Sequence, residues 1–168
     1  MILLSLTVTS KVLYNFHVVT DGVVYRSAQL NPHELEKVVT RFKIKSILNL
    51  RGPSAGSDWY DAEMRITRQL GVVHYDLNLS ANRYVPVEEL KKVVVLIDAA
   101  PKPILIHCNG GADRTGLICA VWKFTAEHVS PDSAVHQLSV LYGHFPYLLW
   151  SDSVAMDKSF ADFVKTAN

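Results

Sequence analysis

The sequence has only two cysteines, Cys108 and Cys119, which are too few for a disulfide framework. Its formal net charge is +1 and its longest basic run is Lys91-Lys92, so no strong attraction to nucleic acid or to an anionic membrane is expected. It also lacks internal repeats, low-complexity stretches and any linker that would mark a second domain. Because 49% of its 168 residues are hydrophobic, we expect a single domain over residues 1–168 with a substantial core.

The N-terminal segment, residues 1–8, is apolar but far too short to span a bilayer. It also lacks the basic region and the cleavage site of a signal peptide. We expect an edge strand there, with the stump of a removed signal or anchor as the alternative. No membrane segment is expected in this chain.

Patterns typical of strands and helices alternate along the sequence. The strand patterns cover residues 12–19, 23–25, 44–50, 72–79 and 104–107. The helical patterns cover residues 32–42, 58–70, 86–99, 117–129, 130–142 and 152–164. This alternation predicts an α/β fold with a central, mainly parallel, twisted sheet flanked by helices.

The most informative segment is His107–Gly116, with the sequence HCNGGADRTG, which we call the signature segment. It follows the strand pattern at 104–107 and precedes the apolar helical run at 117–129. A tight loop with a thiol at its base is therefore expected between a central strand and a buried helix. Because open α/β sheets bind ligands at the carboxyl ends of their strands, we expect a binding site there. The segment is not a Walker loop, since it contains no Gly-Lys-Ser/Thr.

The residue types in the signature segment suit a reactive thiolate. A thiol is a strong nucleophile only when deprotonated, and helix N-termini and nearby cations favour that form. A helix beginning near Thr115 and the permanent charge of Arg114 would provide both influences. The Thr115 hydroxyl can also stabilise the Cys108 thiolate as a leaving group. Gly116 would let the helix pack tightly against the strand.

The same features suit a bound phosphate. Successive backbone N–H groups can curl into an anion nest, and the guanidinium of Arg114 can bind two phosphate oxygens at once. Gly110 and Gly111 would allow positive φ angles and a close approach to the ligand. The predicted phosphate-binding residues are Cys108, Asn109, Gly110, Gly111, Ala112, Asp113 and Arg114.

In the signature segment the chain resembles the cysteine-based protein tyrosine phosphatase superfamily, in particular its compact (atypical) dual-specificity branch. A second region, Asn15-Phe16 followed by Asp21–Leu30, is similar to the opening of that group, and we call it the N-terminal patch. Ser46–Arg51 is similar to the strand that follows it. The resemblance spans about residues 15–128.

The resemblance implies hydrolysis of phosphotyrosine, and also of phosphoserine or phosphothreonine, through a cysteinyl-phosphate intermediate. It implies catalytic roles for Cys108, Arg114, Asp113 and Thr115, and for His107 a hydrogen bond to backbone that helps to hold the loop. No cofactor is expected. No metal is expected either, because the histidines show no ligand spacing that competes with the signature segment. The expected partners are a phosphorylated protein or a small phosphomonoester.

The general acid is the member of this set with more than one candidate. In the family it is usually an aspartate on the loop after the preceding strand, but Ser80–Pro86 contains no carboxylate. Asp113 is the first candidate, Asp76 the second, and water the third. The alternatives are a loop-bracing hydrogen bond for Asp113 and a paired carboxylate at the sheet end for Asp76.

Three further side chains and one loop have less specific patterns. Arg51 would line the pocket, but an exposed loop arginine is the favoured interpretation. Trp59 and Tyr60 would wall the site, although Trp59 fits the inward stripe of its helix better. Gly143–Tyr147 is a compact aromatic loop for which the sequence indicates no role.

The substrate and the activity have alternatives. Loops that bind inositol phosphates often contain basic residues, whereas positions 109–113 contain no base and one acid, which favours a phosphoprotein. A phosphoinositide or inositol phosphate phosphatase remains the alternative. The missing loop aspartate also leaves open a phosphate-binding module with little turnover. A sulfurtransferase is disfavoured by the Arg-Thr-Gly ending of the signature segment.

Cysteine chemistry also bears on the compartment. A reactive thiolate favours reducing conditions, so we expect a cytoplasmic protein. We also expect a monomer. A periplasmic or exported protein is the alternative if the N-terminus is a truncated signal. Cys119 lies on a run that is apolar on all sides, so we expect a buried, structural cysteine.

Overall fold

The computed structural model describes residues 14–147 and 152–167. Within them the chain forms two compact units. The first contains the described residues up to Asn78 together with Pro101–Gly111, and the second contains Leu79–Ala100 and the described residues from Ala112 onward. The edge strand expected at residues 1–8 lies outside the described residues. A single domain over residues 1–168 stays a prediction.

The first unit is built on a five-stranded sheet. Its strands are β1 His17–Thr20, β2 Val24–Ser27, β3 Ser46–Asn49, β4 Val73–Asp76 and β5 Ile104–His107. Their spatial order is β1-β2-β5-β3-β4, in which β1 pairs antiparallel with β2 and all other pairs are parallel. β5 is therefore the middle strand, and all four of its residues are buried. The predicted α/β class with a central, mainly parallel sheet is confirmed.

Two helices of the first unit complete its core, α1 Pro32–Phe42 and α2 Asp58–Leu70. The predicted start of α1 is confirmed, because the Asn31 side chain accepts a hydrogen bond from the Glu34 N–H at 2.9 Å. Both helices pack beside the sheet through a shared cluster of buried side chains: Phe16, Tyr25, Leu30, Leu35, Val38, Val39, Ile44, Ile47, Ile66, Val72 and Leu105.

The second unit is helical. It contains α3 Val87–Ala99, α4 Asp113–Ala126, the short α5 Pro131–Ala134 and α6 Val154–Ala167. α4 packs against α3 and α6 and is buried from Thr115 to Trp122. It begins at Asp113, one turn before the predicted run, so the end of the signature segment forms its first turn.

The helix predicted over residues 130–142 is wrong beyond Ala134. The chain continues instead as two short 3₁₀ turns, Val135–Gln137 and Val140–Tyr142. Valine and serine are weak helix formers and are frequent in this stretch. No helix in the described part of the chain combines the length and apolar character that a bilayer crossing needs.

Candidate active site

Cys108 follows the middle strand β5 directly and is 2% exposed. The backbone N–H of Gly111 donates a hydrogen bond to its Sγ at 3.2 Å. The thiol therefore lies at the base of a tight loop, with a backbone N–H directed at its sulfur. Cys119 forms no disulfide and is fully buried on α4, as expected of a structural residue.

The outer side of the loop is held by the N-terminal patch. Each of three successive loop carbonyls accepts a hydrogen bond from that patch: Asn109 from the Gln29 N–H at 3.1 Å, Gly110 from Asn15 Nδ2 at 3.1 Å, and Gly111 from Arg26 Nη2 at 2.8 Å. In a trans peptide the carbonyl and the N–H point in opposite directions. Anchoring these carbonyls outward therefore turns the loop N–H groups to the other side, as an anion nest requires.

Arg26 contacts the loop but was not among the site residues predicted from the sequence. It lies on β2 and is completely buried. A buried guanidinium is costly unless it is well bonded, and its bond to the Gly111 carbonyl is charge-assisted. The signal for it was present, because Arg26 belongs to the N-terminal patch, but nothing in the sequence connected it to a residue 85 positions later.

Gly111 is required by both conformation and space. Its φ is +68°, and a Cβ added there would lie 2.5 Å from the backbone nitrogen of Ala28 and 2.6 Å from the carbonyl carbon of Ser27. The predicted positive φ is confirmed at Gly111. It is wrong for Gly110, which is not among the glycines with positive φ, and a Cβ added there would meet nothing within 4 Å.

Behind the loop lies a buried carboxylate, Glu63 of α2, which is 2% exposed. Its Oε1 lies 3.2 Å from His107 Nε2 and 2.8 Å from His74 Nε2, and its Oε2 accepts from Gln29 Nε2 at 2.7 Å. Burial alone would raise the pKa of Glu63. Electrostatic attraction and a hydrogen bond from His107, with hydrogen bonds from His74 and Gln29, outweigh burial and hold that pKa well below its usual range.

The His107 side chain therefore meets a carboxylate, whereas the resemblance implied a bond to backbone. Its Nδ1 atom is buried and has no hydrogen-bond partner among the described residues. Because Glu63 is also bonded to Gln29, whose own N–H anchors the Asn109 carbonyl, one network connects β5, α2 and the loop. No local pattern indicated Glu63, which lies 44 positions from His107.

Arg51 extends this network and is half-buried, so the expectation of an exposed loop arginine is wrong. Its Nη1 donates to Gln29 Oε1 at 2.9 Å, and its guanidinium carbon lies 3.5 Å from the centroid of the Trp59 ring. Trp59 is half-buried, and Tyr60 is the buried member of the pair. Stacking on Trp59 explains why the Arg51 side chain lies against the unit instead of extending into solvent.

Asp76 is a paired carboxylate at the end of a strand, which was the alternative interpretation of this residue. Oδ1 accepts from Asn49 Nδ2 at 2.8 Å, and Oδ2 accepts from the Tyr60 hydroxyl at 2.6 Å. The hydrogen bond to Asp76, together with burial and the nearby negative charge, raises the pKa of Tyr60 to about 12. Because both oxygens of Asp76 are already bonded, its geometry does not favour it as the general acid.

In the second unit, Asp113, Arg114 and Thr115 form the first turn of α4. No side chain among the described residues caps this helix, so its first N–H groups are suited to bind an anion. Arg114 Nη1 donates to the Leu79 carbonyl at 3.3 Å. Thr115 is fully buried, and its hydroxyl has no partner among residues 14–147 and 152–167.

Gly116 allows a close approach, but not the one predicted. A Cβ added there would lie 2.7 Å from the Gln137 carbonyl oxygen and 3.0 Å from Leu138 Cδ2. The missing side chain therefore admits the 3₁₀ turn at Val135–Gln137, whereas the expected neighbour was the strand.

Asp113 is bonded to a histidine that sequence reasoning did not assign. Its Oδ1 lies 2.7 Å from His144 Nδ1, and the other ring nitrogen, Nε2, lies 3.0 Å from Asp157 Oδ2. Burial alone would lower the pKa of His144, but the hydrogen bonds and charges of the two aspartates outweigh it and raise that pKa to about 9. His144 belongs to the aromatic loop Gly143–Tyr147, to which the sequence assigned no role.

The predicted site residues are thus distributed over both units. Cys108, Asn109, Gly110 and Gly111 belong to the first, and Ala112, Asp113, Arg114 and Thr115 belong to the second. That they act together on one phosphate stays a prediction.

A mainly parallel sheet whose middle strand ends in a Cys-x5-Arg segment, followed by a buried helix, defines the phosphatase type of α/β fold. Residues 12–136 match the model of the tyrosine phosphatase family. The chain therefore belongs to this family, and the resemblance seen in the signature segment and the N-terminal patch is confirmed.

The chain also matches a curated phosphatase. The chain is 31% identical over 107 residues to the inositol diphosphatase SIW14 of Saccharomyces cerevisiae, a match that covers 61% of this chain. The match spans only 36% of that protein's length.

Solved structures show the same fold. TpbA of P. aeruginosa superposes with a TM-score of 0.71 at 21% identity, covering 92% of both chains. The core catalytic domain of the PP-IP phosphatase SIW14 from S. cerevisiae, in complex with citrate, gives a TM-score of 0.68 at 26% identity. That match covers 91% of this chain and 90% of the other.

Proposed function

We propose that this phosphatase-family protein hydrolyses phosphotyrosine, and also phosphoserine or phosphothreonine, through a cysteinyl-phosphate intermediate on Cys108. The observation that supports this most is the anchoring of the loop. Three successive carbonyls are bonded on its outer side and the Gly111 N–H is bonded to the Cys108 sulfur. A loop preorganised in this way stabilises negative charge on sulfur and on phosphate without further rearrangement.

In the proposed reaction the Cys108 thiolate attacks phosphorus and the bond to the leaving oxygen breaks. Arg114 and the loop N–H groups stabilise the charge on the phosphoryl oxygens. Asp113 gives its proton to the leaving oxygen. A water molecule then attacks the cysteinyl phosphate, its proton passes to Asp113, and the sulfur departs as a thiolate that the Thr115 hydroxyl stabilises.

Asp113 is preferred to Asp76 as the acid for a geometric reason. Asp76 has both oxygens bonded by Asn49 and Tyr60. Asp113 has a 30% exposed side chain and precedes Arg114 directly in the signature segment. A partly exposed carboxyl next to the phosphate-binding arginine is the better placed donor.

A second candidate is an inositol phosphate phosphatase. It is favoured by the 31% identity to the inositol diphosphatase SIW14. Against it stands the composition of positions 109–113, which contain no base and include one acid, so further phosphates would meet a negative side chain.

Phosphate release from matched substrates tests the proposal. The purified protein should release phosphate from a phosphotyrosine peptide and from para-nitrophenyl phosphate, whereas Cys108→Ser should release none while still binding phosphate. Preferred release from an inositol pyrophosphate over the peptide would favour the second candidate. Phosphate binding without turnover by the wild type would instead identify a phosphate-binding module.

We also propose a compartment, an oligomeric state and the absence of a cofactor for this enzyme. A thiolate nucleophile is inactivated by oxidation, so we place the enzyme in a reducing compartment, the cytoplasm. It would act there as a monomer on a phosphorylated protein or small phosphomonoester, without a metal or other cofactor. Full activity after dialysis against a chelator is the corresponding check.

A further inference from the structure

His144 is enclosed between two carboxylates that come from distant parts of the second unit. Its side chain is 1% exposed, and its two ring nitrogens lie 2.7 Å from Asp113 Oδ1 and 3.0 Å from Asp157 Oδ2. Asp113 lies in the first turn of α4, and Asp157 lies in the first turn of α6. Within the described residues, these are the charged groups at hydrogen-bond distance from the ring.

The proton count of this cluster follows from its geometry. An ionised carboxylate can only accept hydrogen bonds, so with both aspartates ionised both ring nitrogens must donate, and the imidazole is then a cation. Moving the Nδ1 proton to Asp113 gives a neutral imidazole and a carboxylic acid without changing the total number of protons. The pair formed by Asp113 and His144 is therefore an acid even when the proton resides on the ring.

We propose that His144 is a positioning residue of the phosphatase reaction, which holds Asp113 and supplies the proton that Asp113 delivers to the leaving oxygen. This inference rests on the proposed function, and it adds the source of the proton. His144 itself does not touch the substrate in this account.

Protons are conserved in each half of the reaction. As the bond between phosphorus and the leaving oxygen breaks, that oxygen gains one proton from Asp113, which takes the Nδ1 proton from His144 and leaves the imidazole neutral. When water attacks the cysteinyl phosphate, the proton released from water passes to Asp113 and returns to His144. No oxidant, reductant or metal is needed.

Electrostatics favour this direction of transfer. A phosphate dianion bound beside Arg114 would repel an ionised Asp113, which favours the tautomer with the proton on Asp113. The other carboxylate, Asp157, has a 29% exposed side chain. The enclosed His144 ring is therefore hydrogen-bonded to a group that contacts solvent.

The His144→Asn variant separates the two parts of the proposed role, which are holding Asp113 and supplying its proton. The amide nitrogen of asparagine can take the place of Nδ1 and keep the bond to Asp113, but it has no titratable proton. For phenyl phosphate, a substrate with a poor leaving group, we expect kcat to fall by about 10²-fold. For para-nitrophenyl phosphate we expect a loss of less than about threefold, because this phenolate departs without a proton. His136→Asn, an exposed histidine of the same unit, is the matched control and should behave as the wild type.

The pH–rate profile gives a second readout that a purely structural role would not change. With phenyl phosphate the basic limb should follow His144, near pH 9, and should disappear in His144→Asn. Asp157→Asn keeps a hydrogen-bond acceptor but removes a charge that stabilises the imidazolium. Its basic limb should therefore move to lower pH, and this variant also serves if His144→Asn does not fold.

Equal losses for both substrates, or a basic limb that stays in place in Asp157→Asn, would overturn the inference while leaving the proposed function intact. Failure of the wild type to hydrolyse para-nitrophenyl phosphate would instead overturn the proposed function, and this inference with it.

Discussion

The Nη2 atom of Arg26 donates a hydrogen bond to the carbonyl oxygen of Gly111 at 2.8 Å, inside the first unit. Arg26 comes from β2 and Gly111 from the loop that follows β5, and these two strands are parallel neighbours. The N-terminal patch and the signature segment thus form one structural unit, in which a completely buried arginine holds the loop through a backbone carbonyl.

The first prediction concerns this arginine. Arg26→Lys keeps the charge but loses the planar fork, and it should lower both kcat/KM and stability, the latter by about 2–4 kcal/mol. Urea unfolding and hydrolysis of para-nitrophenyl phosphate measure the two effects. Arg83→Lys, at an exposed position, is the control and should change neither quantity. A wild-type rate in Arg26→Lys would show that the loop does not depend on the guanidinium.

The two loop glycines provide a matched pair. Gly111→Ala places a methyl group 2.5 Å from the Ala28 nitrogen at a φ of +68°, so the loop must shift, and we expect activity to fall by at least about 10²-fold. Gly110→Ala meets nothing within 4 Å and should keep activity within about threefold of the wild type. Steady-state kinetics of both variants with para-nitrophenyl phosphate measure this difference in activity. Similar behaviour of the two variants would contradict the loop geometry.

The contrast between these glycines shows what the sequence could and could not predict. Local patterns predicted the start of α1, the bounds of α2 and the strand before Cys108, because each depends on residues a few positions apart. The sequence treated Gly110 and Gly111 alike, since only the tertiary approach of Ser27 and Ala28 distinguishes them.

The supporting side chains were missed for the same reason. Arg26 meets Gly111 across 85 positions, Glu63 meets His107 across 44, and His144 meets Asp113 across 31. No periodicity or capping rule connects residues so far apart, so these pairs became visible only in the folded chain. Likewise, the 3₁₀ turns after Ala134 occupy a stretch that helical periodicity alone predicted as one helix.

Glu63 should make stability depend on pH in acid. A carboxyl whose folded pKa is depressed stabilises the protein above its unfolded pKa, about 4.5, and this contribution is lost as the pH falls towards the folded value. Glu63→Gln should therefore cost about 1–3 kcal/mol at pH 7 and progressively less below pH 4.5. Thermal unfolding of both proteins between pH 7 and pH 3 measures this. A difference in Tm that stays constant over that range would contradict the assignment.

Asp113→Asn tests the acid itself. It should slow hydrolysis of phosphotyrosine by about 10²-fold or more relative to an aryl phosphate whose phenol is already acidic, because only the poor leaving group needs the proton. The basic limb of the phosphotyrosine pH–rate profile should vanish in the same variant. If both substrates slow equally, Asp113 only braces the loop, and Asp76→Asn becomes the next variant to measure.

In the proposed reaction, Cys108 forms a covalent bond to the phosphoryl group. Rapid acid quenching of the wild type during turnover of para-nitrophenyl phosphate, followed by mass spectrometry of the peptides, measures that bond directly. We expect one phosphoryl group on the peptide that contains Cys108, none on the peptide that contains Cys119, and no turnover in Cys108→Ser. Sustained turnover by Cys108→Ser, with no phosphoryl group on any wild-type cysteine, would contradict it.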